Sequence, residues 1–319
     1  MTTANPLPRR GLFKAGAALS TVVLTPVAAG SAAAATNTSA TTGAATAGPT
    51  ESAGSSAAEA ELRALEQRYT ARLGVYARNV RTGQVVSHRA RERFAMCSTF
   101  KTFAAAAILR GEGGSASLEE VVPYPPAELV PNSPVTEQHV STGMSVGDLC
   151  AAAIQRSDNA AGNLLLRRIG GPAGLTRFFR SIGDSVSRLD RWEPELNTAA
   201  PGDVRDTTTP QALGTGFEQL TLGRVLADAD REQLVTWLKG NTTSAERFRA
   251  GLPHDWVVGD KTGTGDYASA NDIGVAWTTR GTPLVVTVLT SKPTPDASVD
   301  NALIADAARV VARTLAPGE

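Results

Sequence analysis

Apolar and polar positions change rhythm several times along the chain. From Ala58 to Leu73, Leu62, Leu65, Tyr69 and Leu73 recur at helical spacing with charges between them, which predicts an amphipathic helix ended by Gly74. Gly74 to Val80 and Gln84 to His88 read as two strands joined through Arg81-Thr82-Gly83, a hairpin pattern. Near the other end Trp256 to Gly259, Asn271 to Thr279 and Leu284 to Ser291 are strand-like, with Arg280-Gly281-Thr282-Pro283 as a turn. Ser298 to Leu315 closes the chain as an Ala-rich helix with Leu303, Ile304, Val310 and Val311 as its apolar positions. Between Phe94 and Lys239 lie Ala, Leu and Arg segments punctuated by Gly and Pro, which predict short helices and loops. The simplest architecture is α/β of the α+β kind. An antiparallel sheet of about five strands from both chain ends (58–93 and 240–319) is flanked by helices and carries an inserted all-helical lobe (94–239).

Composition adds what lies outside that domain. Pro8-Arg9-Arg10-Gly11-Leu12-Phe13-Lys14 precedes an apolar run from Ala15 to Gly30, broken by Ser20, Thr21, Thr25 and Pro26, and then Ala32 to Ala35. This predicts a cleaved twin-arginine-type signal over residues 1–35 and export to the envelope or beyond. The alternative, a membrane anchor, needs ~20 strongly apolar residues, more than this run supplies. No Cys stands at the cleavage region to take a lipid. Residues 36–57 are almost wholly Thr, Ala, Ser, Gly and Pro and predict a disordered linker, leaving 58–319 as the folded domain.

Lys plus Arg and Asp plus Glu both number 31, so net charge is zero, and no basic block occurs. Nucleic acid and anionic membrane are therefore not expected partners, and a small neutral or anionic ligand fits better. His88, His139 and His254 form no metal-binding pattern, so neither a metal nor another cofactor is expected. A monomer is the default. Cys97 and Cys150, in an exported chain, invite one disulfide, and spacing leaves open whether they meet.

Three short motifs can carry chemistry. Ser98-Thr99-Phe100-Lys101 opens an apolar run, Phe103 to Leu109; a Ser and a Lys three apart share one helix face, close enough for the amine to take the hydroxyl proton. Ser157-Asp158-Asn159 precedes Leu164 to Ile169, and Lys261-Thr262-Gly263 follows Trp256-Val257-Val258-Gly259. Taken singly these read as a capping Ser with a solvated Lys, an N-cap cluster, and a turn. A thiol nucleophile at Cys97 is set aside because no histidine lies nearby in sequence.

Taken together, in this order and at these separations, the three motifs resemble those of class A β-lactamases. Arg191-Trp192-Glu193-Pro194-Glu195-Leu196-Asn197 resembles the family's omega loop, and the resemblance runs from about Ala58 to the C-terminus. It implies hydrolysis of penicillins, and of some cephalosporins, through an ester on Ser98. Lys101, or Glu193 through a water, would take the Ser98 proton; Ser157 would protonate the lactam nitrogen. N–H groups of Ser98 and Thr264 would form the oxyanion hole. Glu193 and Asn197 would hold the deacylating water. Asn159 would bind the substrate's amide side chain, and Lys261, Thr262, Gly263, Thr264 and Arg247 would line its carboxylate site. Arg247 is expected to replace a guanidinium that many members carry where this chain has Ala270. Arg191 and Asp206 are expected to brace the omega loop.

Two departures from the family pattern stand out. Asn132 occupies a pocket-rim position where relatives often carry Tyr or Trp, which removes an aromatic stacking surface. The usual disulfide partner of Cys150 is replaced by Ala105, and Cys97 faces Gly265, where some carbapenem-hydrolysing members have Cys. Two free thiols are expected. A peptidoglycan transpeptidase or carboxypeptidase and a β-lactam sensor domain share the acylating residues; the first lacks the glutamate at 193, and the second needs a retained membrane segment.

Overall fold

The computed structural model describes residues 53–112, 114 and 117–319, so the expected signal and most of the expected linker lie outside the described residues. In chain order, helix α1 (Ala53–Tyr69) leads into strands β1 (Arg72–Asn79) and β2 (Val85–His88), the two-residue β3 (Phe94–Ala95) and α2 (Phe100–Leu109). Short strands β4 (Val121–Val122) and β5 (Met144–Ser145) precede α3 (Val146–Gln155), α4 (Asn159–Arg168) and α5 (Gly171–Ser181). Then come β6 (Thr207–Thr208), α6 (Pro210–Thr221), α7 (Asp228–Lys239) and α8 (Phe248–Gly251). Strands β7 (Val257–Gly265), β8 (Ser269–Trp277) and β9 (Pro283–Ser291) and helix α9 (Asn301–Leu315) complete the chain.

The main sheet runs β2-β1-β9-β8-β7 with every neighbour antiparallel, so its centre joins both chain ends. Side chains of a strand alternate between faces. In β9, Leu284, Val286 and Val288 join a core with Leu62 of α1 and Ile304 and Val311 of α9. Val285 and Leu289 point the other way, into a core with Phe103, Phe178 and Phe217 from the helices. That second core reaches from the sheet into α2, which carries Lys101, and into α3 and α4, between which Ser157 lies, and β7, at the sheet edge, carries Lys261.

Boundaries of α1, β1 and β7 are among those that differ from the sequence expectation. Helix α1 reaches back to Ala53, inside the stretch read as linker, and its end comes at Tyr69, where Thr70 adopts a left-handed φ of 47°. Leu73 is therefore a strand residue, paired with Thr290. Gly74 does not terminate the helix; a Cβ there would stand 2.5 Å from the Phe94 ring and 2.8 Å from Pro210. Strand β7 does not stop at Gly259 but runs through Lys261-Thr262-Gly263 to Gly265, held by pairs such as Thr264 with Ala270. Cys97 and Cys150 are both free and buried.

Candidate active site

Ser98 sits at the turn into α2. Cys97 before it has a φ of 47°, uncommon for a non-glycine residue, and a single 3-10 turn, Cys97–Thr99, feeds the helix. Asn271 of β8 pins this approach, its Nδ2 donating to the carbonyls of Ala95 at 2.9 Å and Met96 at 3.1 Å. Lys101, one turn along α2, is wholly buried and places Nζ 2.9 Å from Ser98 Oγ. The Ser and Lys thus share a face as their spacing predicts. Gly162 of α4 makes room for that lysine, since a Cβ there would lie 2.9 Å from Lys101 Cε.

Ser157-Asp158-Asn159 serves both of its possible readings. Asp158 is the N-cap of α4, accepting from Ala161 N at 2.9 Å, and it also accepts from the N–H groups of Val135 and Thr136. Ser157, with φ 54°, turns its carbonyl to Lys101 Nζ at 2.9 Å and to Asn132 Nδ2 at 3.1 Å. Asn159 offers Oδ1 to Lys101 Nζ at 2.6 Å and donates from Nδ2 to Pro131 O at 2.8 Å. Asn132 itself is exposed at the rim.

Glu193 enters from the segment between α5 and β6. Its Oε1 is 3.2 Å from Ser98 Oγ and 3.0 Å from Lys101 Nζ, and Asn197 Nδ2 donates to its Oε2. The Glu193–Pro194 peptide is cis. The loop is braced as expected: Arg191 Nε donates to Asp206 Oδ2 at 2.5 Å, while Asp206 Oδ1 accepts from the N–H groups of Asp190 and Arg191.

On β7, Lys261 is also wholly buried, its Nζ 3.1 Å from Ser157 Oγ and 2.8 Å from the Thr262 carbonyl. Arg247, 6% exposed, donates to the carbonyls of Gly263 and Asn271, to Asn301 Oδ1 at 2.8 Å, and to Thr264 Oγ1 at 2.8 Å. A guanidinium therefore reaches the strand where Ala270 cannot supply one. Ser98, Lys101, Ser157, Asn159, Glu193 and Asn197 form one connected cluster, which Lys261 links to Thr262, Gly263, Thr264 and Arg247.

Burial pulls the Lys101 amine below the usual lysine value, against the pull of Glu193 in the other direction. Burial, and then the charge of Lys101, hold Lys261 well below it. Ser157 O and the Asn159 amide oxygen can only accept, so two N–H bonds of Lys101 are committed to them. The remaining direction on Nζ faces Ser98 Oγ and Glu193 Oε1. In the neutral amine that direction holds the lone pair, suited to receive a hydroxyl proton. Burial pushes the Cys97 thiol up to about 12, which leaves it unreactive.

A buried Ser hydroxyl held between an amine and a carboxylate, with a second Ser–Lys pair across the cleft, is acyl-transfer apparatus. A family model described as the β-lactamase enzyme family matches residues 57–315. The chain belongs to the class A β-lactamases. β-Lactamase FAR-1 of Nocardia farcinica is 53% identical over 259 residues, covering 81% of this chain and 83% of that one. The crystal structure of a β-lactamase from Desulfarculus baarsii superposes with a TM-score of 0.81 at 50% identity, covering 83% of this chain and 99% of the other. An ancestral class A β-lactamase structure gives 0.78 at 52% identity, covering 80% and 99%. This β-lactamase thus hydrolyses β-lactams, and enzymes of its class are exported.

Sequence reasoning passed over one member of the β-lactamase site. Asn163, 9% exposed on α4, donates from Nδ2 to the Glu193 carbonyl at 2.9 Å and accepts from the Glu193 N–H at 3.0 Å. Its only signal was a polar residue four positions after Asn159, on the same helix face.

Proposed function

We propose that this enzyme opens penicillins, and some cephalosporins, by covalent catalysis at Ser98. The observation that carries the reading is the double contact of Ser98 Oγ, 2.9 Å from Lys101 Nζ and 3.2 Å from Glu193 Oε1. Ser98 Oγ attacks the lactam carbonyl carbon. Its proton leaves to Lys101 directly, or to Glu193 through a water, and both acceptors stand ready. Negative charge on the former carbonyl oxygen is met by the N–H groups of Ser98 and Thr264, each worth roughly two to three orders of magnitude in rate. As the C–N bond breaks, Ser157, its Oγ 3.1 Å from Lys261 Nζ, hands its proton to the lactam nitrogen, and the proton withdrawn from Ser98 replaces it.

Deacylation reverses the roles. Glu193 takes a proton from a water held with Asn197, the hydroxide so formed attacks the ester carbonyl, and as the C–O bond to Ser98 breaks the proton returns to Ser98 Oγ, 3.2 Å from Glu193 Oε1. The substrate's amide side chain meets Asn159, and its carboxylate meets Lys261, Thr262, Gly263, Thr264 and Arg247. Placement of a buried carboxylate beside Ser98 supports a hydrolase over a peptidase or a sensor. Export through the twin-arginine-type signal and a monomeric state complete the proposal, with no metal or other cofactor required.

Steady-state hydrolysis of benzylpenicillin and of a cephalosporin by wild type and Ser98→Ala tests it. Turnover of both by wild type and of neither by the variant is expected. Undiminished turnover in Ser98→Ala would remove Ser98 from the mechanism.

A further inference from the structure

The carboxylate site has a neighbour that no role yet described uses. Thr243, exposed in the loop between α7 and α8, lies with its Oγ1 2.5 Å from Thr262 Oγ1. Chemistry decides which hydroxyl donates. The Thr243 N–H, which can only donate, points at Asn241 Oδ1 at 3.1 Å, so that atom is the amide oxygen. The amide nitrogen then faces Asp260 Oδ2 at 2.9 Å, as it should. Thr243 Oγ1 is 2.8 Å from the same Asn241 oxygen, and an oxygen with no proton must be given one. The single proton of Thr243 is thereby committed to Asn241. Thr262 is the donor in the Thr243–Thr262 contact.

We propose that Thr243 is a positioning residue that sets how strongly substrate carboxylates are recognised: it holds the Thr262 proton in the resting enzyme, and a substrate must take that proton away to bind. This rests on the reading of Thr262 as part of the carboxylate site. A carboxylate accepts only, so Thr262 serves it only by turning its O–H from Thr243 to the ligand. Thr243 is exposed and regains a donor from water, so the exchange is reversible and its cost is that of one hydrogen bond. Asn241, anchored on buried Asp260, keeps Thr243 from yielding its own proton.

Thr243→Val removes the competing acceptor at nearly constant volume. The expected result is a KM for benzylpenicillin lowered about threefold to tenfold with kcat little changed. Thr243→Ser, which keeps the acceptor, restores the higher KM. The Val effect vanishes in a Thr262→Val background and on benzylpenicillin methyl ester, which has no carboxylate to recognise. A KM unchanged or raised in Thr243→Val, or an effect that persists without the Thr262 hydroxyl, overturns the proposal. Thr262→Val alone tests the underlying reading: it raises KM for benzylpenicillin and not for the ester. Failure there discards the carboxylate assignment, and success there with no Thr243 effect discards only the role of Thr243.

Discussion

Asn163 and Glu193 are joined by a reciprocal pair of hydrogen bonds, side-chain amide to backbone in both directions, at 2.9 and 3.0 Å. The pair ties the omega segment to α4 at the residue that faces Ser98. A helix of the interior thus sets where the Glu193 carboxylate stands.

Asn163→Leu removes both bonds and leaves a buried N–H and C=O without partners, at a cost of about 1–3 kcal/mol each. A lowered melting temperature and slower deacylation are expected, with acylation less affected. Stopped-flow kinetics would read this as accumulation of the acyl-enzyme where wild type shows none.

Asp206 is buried against Arg191 and receives two backbone N–H groups. Asp206→Ala leaves those two N–H donors without an acceptor and takes from Arg191 its nearest carboxylate, leaving it Thr198 and Asp203, and should destabilise the protein by about 3 kcal/mol. Chemical denaturation checks the figure. A change below about 0.5 kcal/mol would mean that the brace contributes nothing beyond an exposed ion pair.

In the role proposed for it Lys261 recognises the substrate carboxylate at a cost in stability, because its amine is wholly buried and no carboxylate among the described residues pairs with it. Lys261→Met is expected to raise stability by about 1–2 kcal/mol while sharply weakening activity. The sign with pH follows from the depressed lysine value. In the window from that depressed value up to the ordinary lysine value, the unfolded chain binds more protons than the folded one, so wild-type stability rises with pH there. The gap in melting temperature between Lys261→Met and wild type should therefore be widest below the window and narrow through it. A gap that widens with pH would contradict the account.

A Cβ on Gly265 would stand 2.9 Å from Cys97 Sγ, near the separation across a disulfide. Gly265→Cys should therefore bond to Cys97, provided the Asn197 carbonyl, 2.6 Å from the same point, gives way slightly. Thiol titration of the denatured, unreduced proteins should find two thiols in wild type and one in the variant. Three thiols in the variant would show that the loop does not yield.

The sheet was legible because β9 is a run of Leu, Val and Thr buried on both faces, and a short, continuous, β-branched run that follows turn residues reads as a strand. The end of α1 was not, since the left-handed turn at Thr70 carries no glycine to mark it. Nor was the full length of β7, whose Lys261-Thr262-Gly263 half lacks apolar alternation and is held as strand by pairing with β8. Within the site, only Ser98 and Lys101 could be associated by local spacing. Glu193 is remote from Ser98 in sequence, and Arg247 is remote from Ala270, whose place in the family pattern drew attention to it, so both were reached through resemblance. Asn163 stayed hidden because its partners are backbone atoms of another segment, which leave no trace in side-chain pattern.

The most direct test of the central claim is intact-mass analysis of wild type and Glu193→Ala during exposure to excess benzylpenicillin. The account predicts many turnovers with no lasting adduct in wild type, and in the variant a persistent mass increase of one benzylpenicillin on Ser98. A stable adduct on both proteins, or free turnover by the variant, would contradict the assignment of Glu193 to deacylation.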